Sequence, residues 1–251
     1  MQIRSTAIKD LAKEKGVSSS GRKDQIAERL VKTNADAVAK LLTGFEAFSC
    51  TEKGLAIVRD FEARSRNAKK QAETAAIEAL KSNRLKDACR VVAAFEATQV
   101  SPRGIGIDWS NYDDSYDLAV LTYVYSLTPK RLERLSDERL LELRVAAAMT
   151  HLWGEKSPVS WLSELDLEEV GLCSDDAALL LLARAQFHQK LVSMKGCGIK
   201  KVIIMGNPLD AVCAECKKQN RQIYQINEVP ELPLDSCTCE YGHMLSIAAQ
   251  L

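Results

Sequence analysis

Apolar residues recur every three or four positions along most of this chain, and that spacing is typical of α-helices that pack through one face. The pattern starts at Ile8 and Leu11 and continues to about residue 195. It stops at Gly196-Cys197-Gly198, and the runs 201–205 and 221–226 that follow have the composition of short strands. The sequence therefore predicts a mainly α-helical protein that ends in a small α/β module.

Charge is distributed unevenly along the chain, although the whole is neutral. The 251 residues carry 34 Lys and Arg against 34 Asp and Glu, so the chain is not a polycation. Residues 1–34 hold eight basic and four acidic residues, whereas residues 207–251 hold three basic and six acidic residues. A nucleic-acid role is therefore expected at the N-terminal end. The acidic C-terminal end indicates a different partner or head-to-tail association of copies.

Membrane and secretion signals are missing from the sequence. No run approaches the roughly 18–20 consecutive apolar residues that a membrane-spanning helix needs. The start, Met1-Gln2-Ile3-Arg4, lacks the apolar core of a signal peptide. We therefore expect a cytoplasmic protein with no membrane partner. In a reducing compartment its eight cysteines are expected to be thiols or metal ligands rather than disulfides.

The basic first 34 residues contain two short helical patterns. Helices are predicted over about residues 5–15 and 22–32. Gly16 can end the first helix, and the serines and glycine at 18–21 can start the second. This segment therefore predicts a helix–loop–helix unit with a tight, ordered loop.

This unit resembles the SAP domain, a module of about the same length, at Leu11, Gly16, Val17, Gly21, Lys23, Ile26, Arg29 and Leu30. In that family the loop and the start of the second helix contact DNA. The resemblance implies that Gly21, Arg22 and Lys23 lie at the DNA and that Arg29 is a supporting charge. Weak sequence specificity is expected, because one small module offers few side chains to base edges. The alternatives are a solvated helical cap and a module that binds protein.

Four cysteines near the C-terminal end have the spacing of a metal site. Cys213 and Cys216 form a Cys-x-x-Cys pair, and Cys237 and Cys239 form a second close pair about 20 residues later. Each pair places two thiolates on one turn, and the chain between the pairs can fold both around one tetrahedral Zn²⁺. Four thiolates leave no open coordination position, so the predicted zinc is structural, with His243 as the reserve ligand. The alternative is a set of reduced cysteines without a metal.

The same region resembles the C-terminal segment of tailed-phage head morphogenesis (minor capsid) proteins. The resemblance rests on the Cys-x-x-Cys pair, the strand-like run 222–226, an acidic residue before Pro230, the pair Pro233-Leu234 and Cys237-x-Cys239. The His-Pro-Asn-Cys-Arg-Cys ending of that family is incomplete here, because the His-Pro and the Arg are missing. The resemblance implies a metal-bound module and raises a prophage origin with a role in head assembly.

An acidic and aromatic stretch, residues 108–117, is the remaining candidate for chemistry. Its four carboxylates are those of Asp108, Asp113, Asp114 and Asp117. They suit a hard cation or an acid/base pair, but they equally suit the acidic start of a helix over about 118–127. His151 and His188 each lie alone in helical patterns and are interpreted as packing or surface residues. No phosphate-binding glycine loop and no nucleophile elbow occurs, so the chain is predicted not to be an enzyme.

These patterns divide the chain into a SAP-like module at 1–34, a helical domain at 35–195 and a zinc-ribbon-like module at 196–251. We predict a non-enzymatic DNA-binding protein that uses the first part for DNA and the other two for protein interaction. Three alternatives remain open. One is a structural protein of phage or prophage head assembly, and another is an adaptor whose N-terminal module binds protein. The third is an enzyme that uses Asp108, Asp113, Asp114 or Asp117 with a divalent ion.

Overall fold

The computed structural model describes residues 5–41, 51–99, 102–104, 107–155, 157–162, 167, 170–206, 213–239 and 245–250. The chain divides into two compact units, Met1–Arg59 and Asp60–Leu251. Helices predominate in these ranges, and one three-stranded sheet lies near the C-terminal end. The predicted mainly α-helical class with a small α/β ending is thereby confirmed. None of the described helices is long and apolar enough to cross a membrane.

The helices described in the first unit are α1 (Ser5–Glu14), α2 (Lys23–Thr33) and α3 (Ala35–Leu41). The first two match the helices that the apolar spacing predicts. Their shared core consists of Ile8, Ala12, Ile26 and Leu30. Both ends of the loop between α1 and α2 are therefore fixed by helices that pack against each other.

The second unit is built mainly from helices. They are α4 (Glu52–Lys81, which begins before the unit boundary), α5 (Leu85–Ala97), α6 (Ser115–Ser126), α7 (Asp137–Trp153) and α8 (Ser174–Gly196). Short 3₁₀ turns lie at Trp109–Asn111, Lys130–Leu132 and Val159–Trp161. Local signals set the ends of α7, because the Ser136 hydroxyl accepts from the Arg139 N–H at 3.4 Å and Gly154 ends the helix with φ +62°.

Helix α7 is buried on two sides. Leu143 and Ala147 belong to one apolar cluster, which includes residues of α6 and α8. Val145 and Met149 belong to a second cluster, which includes residues of α4, α5 and α6. A helix that is apolar on several faces has to lie inside a protein. Helix α7 therefore joins the two clusters into one continuous core.

Trp153 ends α7 between two cations. Its indole is buried, with Lys69 Nζ 5.3 Å and Arg103 Cζ 5.4 Å from the ring centroid. Arg103 also forms an ion pair with the buried carboxylate of Glu96 and donates to the Leu152 carbonyl at 2.7 Å. Each cation–π contact contributes about 0.5–2 kcal/mol, depending on burial. Arg103 therefore fastens the connection after α5 to the end of α7.

The sheet consists of β1 (Lys201–Gly206), β2 (Ile223–Gln225) and β3 (Leu245–Ala249), in the order β2-β1-β3 with both pairs antiparallel. The short helix α9 (Ala214–Gln219) precedes β2. One face of the sheet packs on α8, where Phe187 shares a buried cluster with Val202, Ile204 and Ile247. The predicted strand runs match β1 and β2, whereas β3 was not predicted.

Replacement of Leu143 by alanine tests whether α7 is the centre of the core. Because Leu143 is fully buried, Leu143→Ala should lower the free energy of unfolding by about 2–5 kcal/mol. The control Val192→Ala removes an apolar side chain from a residue of α8 that is 51% exposed, and it should cost less than about 1 kcal/mol. Chemical denaturation of the full chain, followed by circular dichroism, measures both. Similar small losses in the two variants would contradict the central position of α7.

Candidate metal centre and candidate nucleic-acid interface

The two cysteine pairs are presented by different local structures. Cys213 has extended backbone angles directly before α9, and Cys216 lies in the first turn of that helix. Cys237 and Cys239 follow the irregular segment 229–236, in which two prolines prevent helix formation. Each pair therefore lies on a short stretch of chain that presents two thiols side by side, as the spacing predicts.

The four thiol groups converge on one place, which confirms that the two pairs belong together. Their sulfur atoms all lie within 4.8 Å of one another, and the Sγ atoms of Cys216 and Cys237 are 3.4 Å apart. A tetrahedral Zn²⁺ bound by four thiolates requires sulfur–sulfur distances of about 3.8 Å. The donor type and the spacing therefore fit a metal ion, and zinc is compatible with both. His243, the reserve ligand, lies outside the described residues.

Burial and hydrogen bonding make the thiols unequal. Cys216 and Cys237 are buried, and burial raises the pKa of both. Desolvation also opposes ionisation of Cys213, but hydrogen bonds from the backbone N–H groups of Cys216 and Thr238 outweigh it and lower the pKa of Cys213 to about 6. The Cys213 N–H in turn donates to Cys239 Sγ at 3.2 Å. Because a metal binds the thiolate form, Cys213 is the thiol best prepared for a metal at neutral pH.

Two arginines of the helical part hold the second cysteine pair in position. The guanidinium of Arg184 on α8, a residue only 4% exposed, donates to Glu231 Oε2 at 2.5 Å, the Pro233 carbonyl at 2.7 Å and Asp235 Oδ1 at 2.9 Å. Arg131 donates to the Cys237 carbonyl at 3.1 Å. Neither contact was predicted. The sequence feature that could have indicated a buried, paired Arg184 is its position as the single arginine in the otherwise apolar stretch 177–185.

A glycine and two side chains of α2 shape the loop between α1 and α2. Gly21 has φ +102°, and a Cβ atom there would lie 2.7 Å from Gln25 Oε1. The same oxygen accepts a hydrogen bond from the Arg22 N–H at 3.1 Å. From the other side, the Arg29 guanidinium donates to the Ser20 carbonyl. Contacts from α2 therefore fix the loop, and a side chain at position 21 would disturb them.

The four residues predicted to meet DNA lie together on this loop and on α2. Gly21 and Arg22 are exposed, and Lys23 is half-buried. Arg22 forms an exposed ion pair with Asp24 at 2.6 Å, whereas Lys23 has no ion pair with any residue that the structure describes. Arg29 is engaged with the loop backbone, so its role is to position the loop. The contact of these residues with DNA stays a prediction.

The acidic stretch 108–117 serves local structure at two of its carboxylates. Asp108 accepts from the Ser110 N–H at 3.1 Å and caps a 3₁₀ turn, and Asp113 accepts from the N–H of Ser115, the first residue of α6, at 3.0 Å. Within the described part of the chain, the four clustered cysteines are the one group of side chains close enough to hold a metal ion. A hard-cation site in this stretch therefore gains no support.

Asp117 takes part in a half-buried polar cluster between α6 and α7. Its Oδ1 lies 2.8 Å from His151 Nε2, and its other oxygen accepts from the Tyr112 hydroxyl. Burial opposes ionisation of this carboxyl group, but the hydrogen bonds from His151 and Tyr112 outweigh it and lower its pKa. His151 is thus the partner of a half-buried charge, a role that the sequence did not reveal.

No protein-family model, curated protein or solved structure matches this chain. The resemblances to the SAP domain and to phage head proteins therefore stay predictions, drawn from the residues quoted for them. Function has to be inferred from the geometry of this chain's own residues.

Replacement of Asp117 by asparagine tests the half-buried polar cluster. At pH 7, Asp117→Asn should lower the free energy of unfolding by about 1–3 kcal/mol, because hydrogen bonds to a charged acceptor are lost. The pKa of Asp117 in the folded state lies below its unfolded value of about 3.9. Its contribution is therefore fully present above about pH 4 and is lost as the pH falls through the folded-state pKa. Urea denaturation at pH 7 and at about pH 3 should show that the wild type and Asp117→Asn differ less in free energy of unfolding at the lower pH.

Asp60→Asn is the control for this measurement, since Asp60 pairs with Arg64 on an exposed face of α4. It should change the free energy of unfolding at pH 7 by no more than about 0.5 kcal/mol. If the difference in free energy of unfolding between Asp117→Asn and the wild type increased towards low pH, the role assigned to Asp117 would be contradicted.

Proposed function

We propose that this chain is a non-enzymatic DNA-binding protein that contacts the duplex backbone through the loop between α1 and α2. The observation that carries the proposal is the loop itself. It is shaped by Gly21, fixed by Arg29 and Gln25, and it presents Arg22 and Lys23 at the start of a helix. A rigid turn of this kind holds its donors in place before the ligand arrives, which limits the conformational entropy lost on binding.

Phosphate groups meet two kinds of donor at this loop. The first N–H groups of α2 have no acceptor within the helix and lie at the positive end of the helix dipole. Lys23 adds a full charge that no described carboxylate neutralises. Arg22 exchanges Asp24 for a phosphate at small cost, because an exposed ion pair is solvated and contributes little.

Contacts of this kind recognise the sugar–phosphate backbone and carry no direct sequence information. Affinity should therefore depend steeply on salt and vary little between duplexes of different sequence. Weak sequence specificity follows from the same geometry, since the loop offers few side chains that can reach a base edge.

We also propose that the clustered cysteines hold a structural zinc ion. The sulfur atoms of Cys213, Cys216, Cys237 and Cys239 supply four soft donors within 4.8 Å of one another. A site closed by four protein ligands leaves no position for a substrate, so the ion serves folding. It would tie the segment after residue 229 to α9 and stabilise the module for its interaction with a protein partner.

Removal of the charge of Lys23 tests the DNA proposal. Fluorescence anisotropy of a labelled duplex of about 25 base pairs is titrated with full-length protein over a salt series. Lys23→Gln should bind severalfold more weakly, and the slope of log K against log salt should shrink by about 0.9, the value for one lost phosphate contact.

Lys40→Gln on α3 is the matched control, because it removes the same charge outside the loop. It should leave both the affinity and the slope close to those of the wild type. No binding at low salt, or equal losses in the two variants, would contradict a DNA contact at the loop. A folded chain that fails this test fits a protein-interaction adaptor instead.

Metal analysis tests the zinc proposal. Protein purified under reducing conditions should carry about one zinc per chain, and the double variant of Cys213→Ser and Cys237→Ser should lose it. Chelation should lower the melting temperature of the wild type. The control changes Cys173→Ser and Cys197→Ser, two exposed cysteines outside the cluster, and should keep the zinc. Wild-type protein that is folded and metal-free would contradict the proposal.

A further inference from the structure

The outer edge of β3 carries backbone groups that no other described strand uses. Strand β3 pairs with β1 on one side and has no strand of the described residues on the other. The Gln250 N–H donates to the Lys201 carbonyl at 3.0 Å. In this antiparallel register, every second residue of β3, counted back from Gln250, therefore forms its backbone hydrogen bonds with β1. The intervening residues Leu245, Ile247 and Ala249 therefore direct their N–H and C=O groups to the open side.

Nothing in the sequence of β3 protects this edge. Edge strands are usually guarded by charged residues, prolines or bulges that keep other chains away. Strand β3 reads Leu-Ser-Ile-Ala-Ala, and its register with β1 runs without a bulge. The opposite edge, β2, is only three residues long. The edge that suits an added strand is thus that of β3.

A groove runs beside this edge, between α8 and the sheet. It has a volume of about 260 Å³. Its apolar walls include Phe187, Leu232, Pro233 and Ile247. Gln186 and Lys190 of α8 are exposed on its rim, and Lys190 forms no ion pair with a described residue. The groove therefore combines an apolar floor with one positive charge beside an open strand.

The wall of the groove opposite β3 is held in place before any ligand binds. Leu232 and Pro233 lie between two residues that Arg184 binds, since the Arg184 guanidinium donates hydrogen bonds to Glu231 and to Asp235. A preformed site loses little conformational entropy when it binds its ligand.

We propose that the β3 edge binds an extended segment of a partner protein, which adds to the sheet as a fourth strand. Its backbone would pair with Leu245, Ile247 and Ala249. Its apolar side chains, at every second position, would enter the groove, because residues opposite each other in a sheet point to the same face. A carboxylate of the segment would meet Lys190. Main-chain pairing provides affinity, and the groove and Lys190 provide specificity.

A second copy of this chain is a poorer occupant of the edge. In a pair of β3 strands, the side chains on the groove face would be Leu245 and Ile247 of the other copy, and both are already buried in their own module. Strand β3 also carries no carboxylate for Lys190. An acidic, extended segment with alternating apolar residues satisfies both requirements.

The test uses full-length protein and a fluorescein-labelled peptide of alternating valine and threonine with a glutamate at each end. A second peptide has the same sequence with N-methylated valines, which keeps the side chains but removes the N–H groups that would face β3. Anisotropy should show saturable binding of the first peptide and at least about tenfold weaker binding of the second.

Two variants localise the binding. Ala249→Pro removes one outward N–H and leaves the bonds to β1 intact, so it should weaken binding at least about tenfold. Lys190→Glu should weaken binding of the glutamate peptide and restore binding of a peptide with lysines at its ends. Lys200→Glu, the same charge change at an exposed site outside the groove lining, should leave affinity unchanged. Circular dichroism checks that each variant is folded. If Ala249→Pro does not fold, the charge exchange between Lys190→Glu and the lysine peptide tests the location of the binding site.

Three results would overturn the proposal. The first is no saturable binding of the peptide up to about 1 mM. The second is equal binding of the N-methylated peptide, which would place the interaction in the groove without strand pairing. The third is concentration-dependent dimerisation that Ala249→Pro abolishes while peptide fails to bind, which would make a second copy the occupant.

Discussion

The C-terminal half of this structure depends on the hydrogen bonds that the buried guanidinium of Arg184 donates. A charge at that depth is destabilising unless it is paired, and the three acceptors of the terminal guanidinium nitrogens of Arg184 all lie within residues 231–235. Helix α8 can keep this arginine only while that segment is in place. The segment leads into Cys237 and forms a wall of the groove beside β3, so one set of hydrogen bonds positions both the cysteine cluster and the groove.

Helix α8 belongs to two packing systems along its 23 residues. Its first half contributes Leu181 and Ala185 to the core around α7, and its second half contributes Phe187 to the core of the sheet. Small modules that rely on a metal alone are commonly unfolded without it. The sheet described here also buries apolar side chains against a long helix. Packing against α8 therefore contributes to the stability of the cysteine module independently of the proposed zinc ion.

The sequence was sufficient wherever the signal was local. Apolar spacing predicted α1 and α2, glycines predicted the turn between them, and the cysteine spacing predicted the cluster. It was insufficient for contacts between distant residues, such as Asp117 with His151 across 34 positions and Arg184 with Asp235 across 51. Strand β3 was missed because two of its five residues are alanines, which have a low preference for strands, and because its partner strand lies far back in the sequence.

The positions of the tryptophans determine which events the intrinsic fluorescence of this protein can report. The three tryptophans of the chain, Trp109, Trp153 and Trp161, all lie in the helical part of the second unit. Residues 1–59 and the three strands contain none. Intrinsic tryptophan fluorescence therefore reports the packing around α7. Ligand binding at the loop shaped by Gly21 or at the clustered thiols would leave the fluorescence unchanged unless it also altered the packing of the helical core.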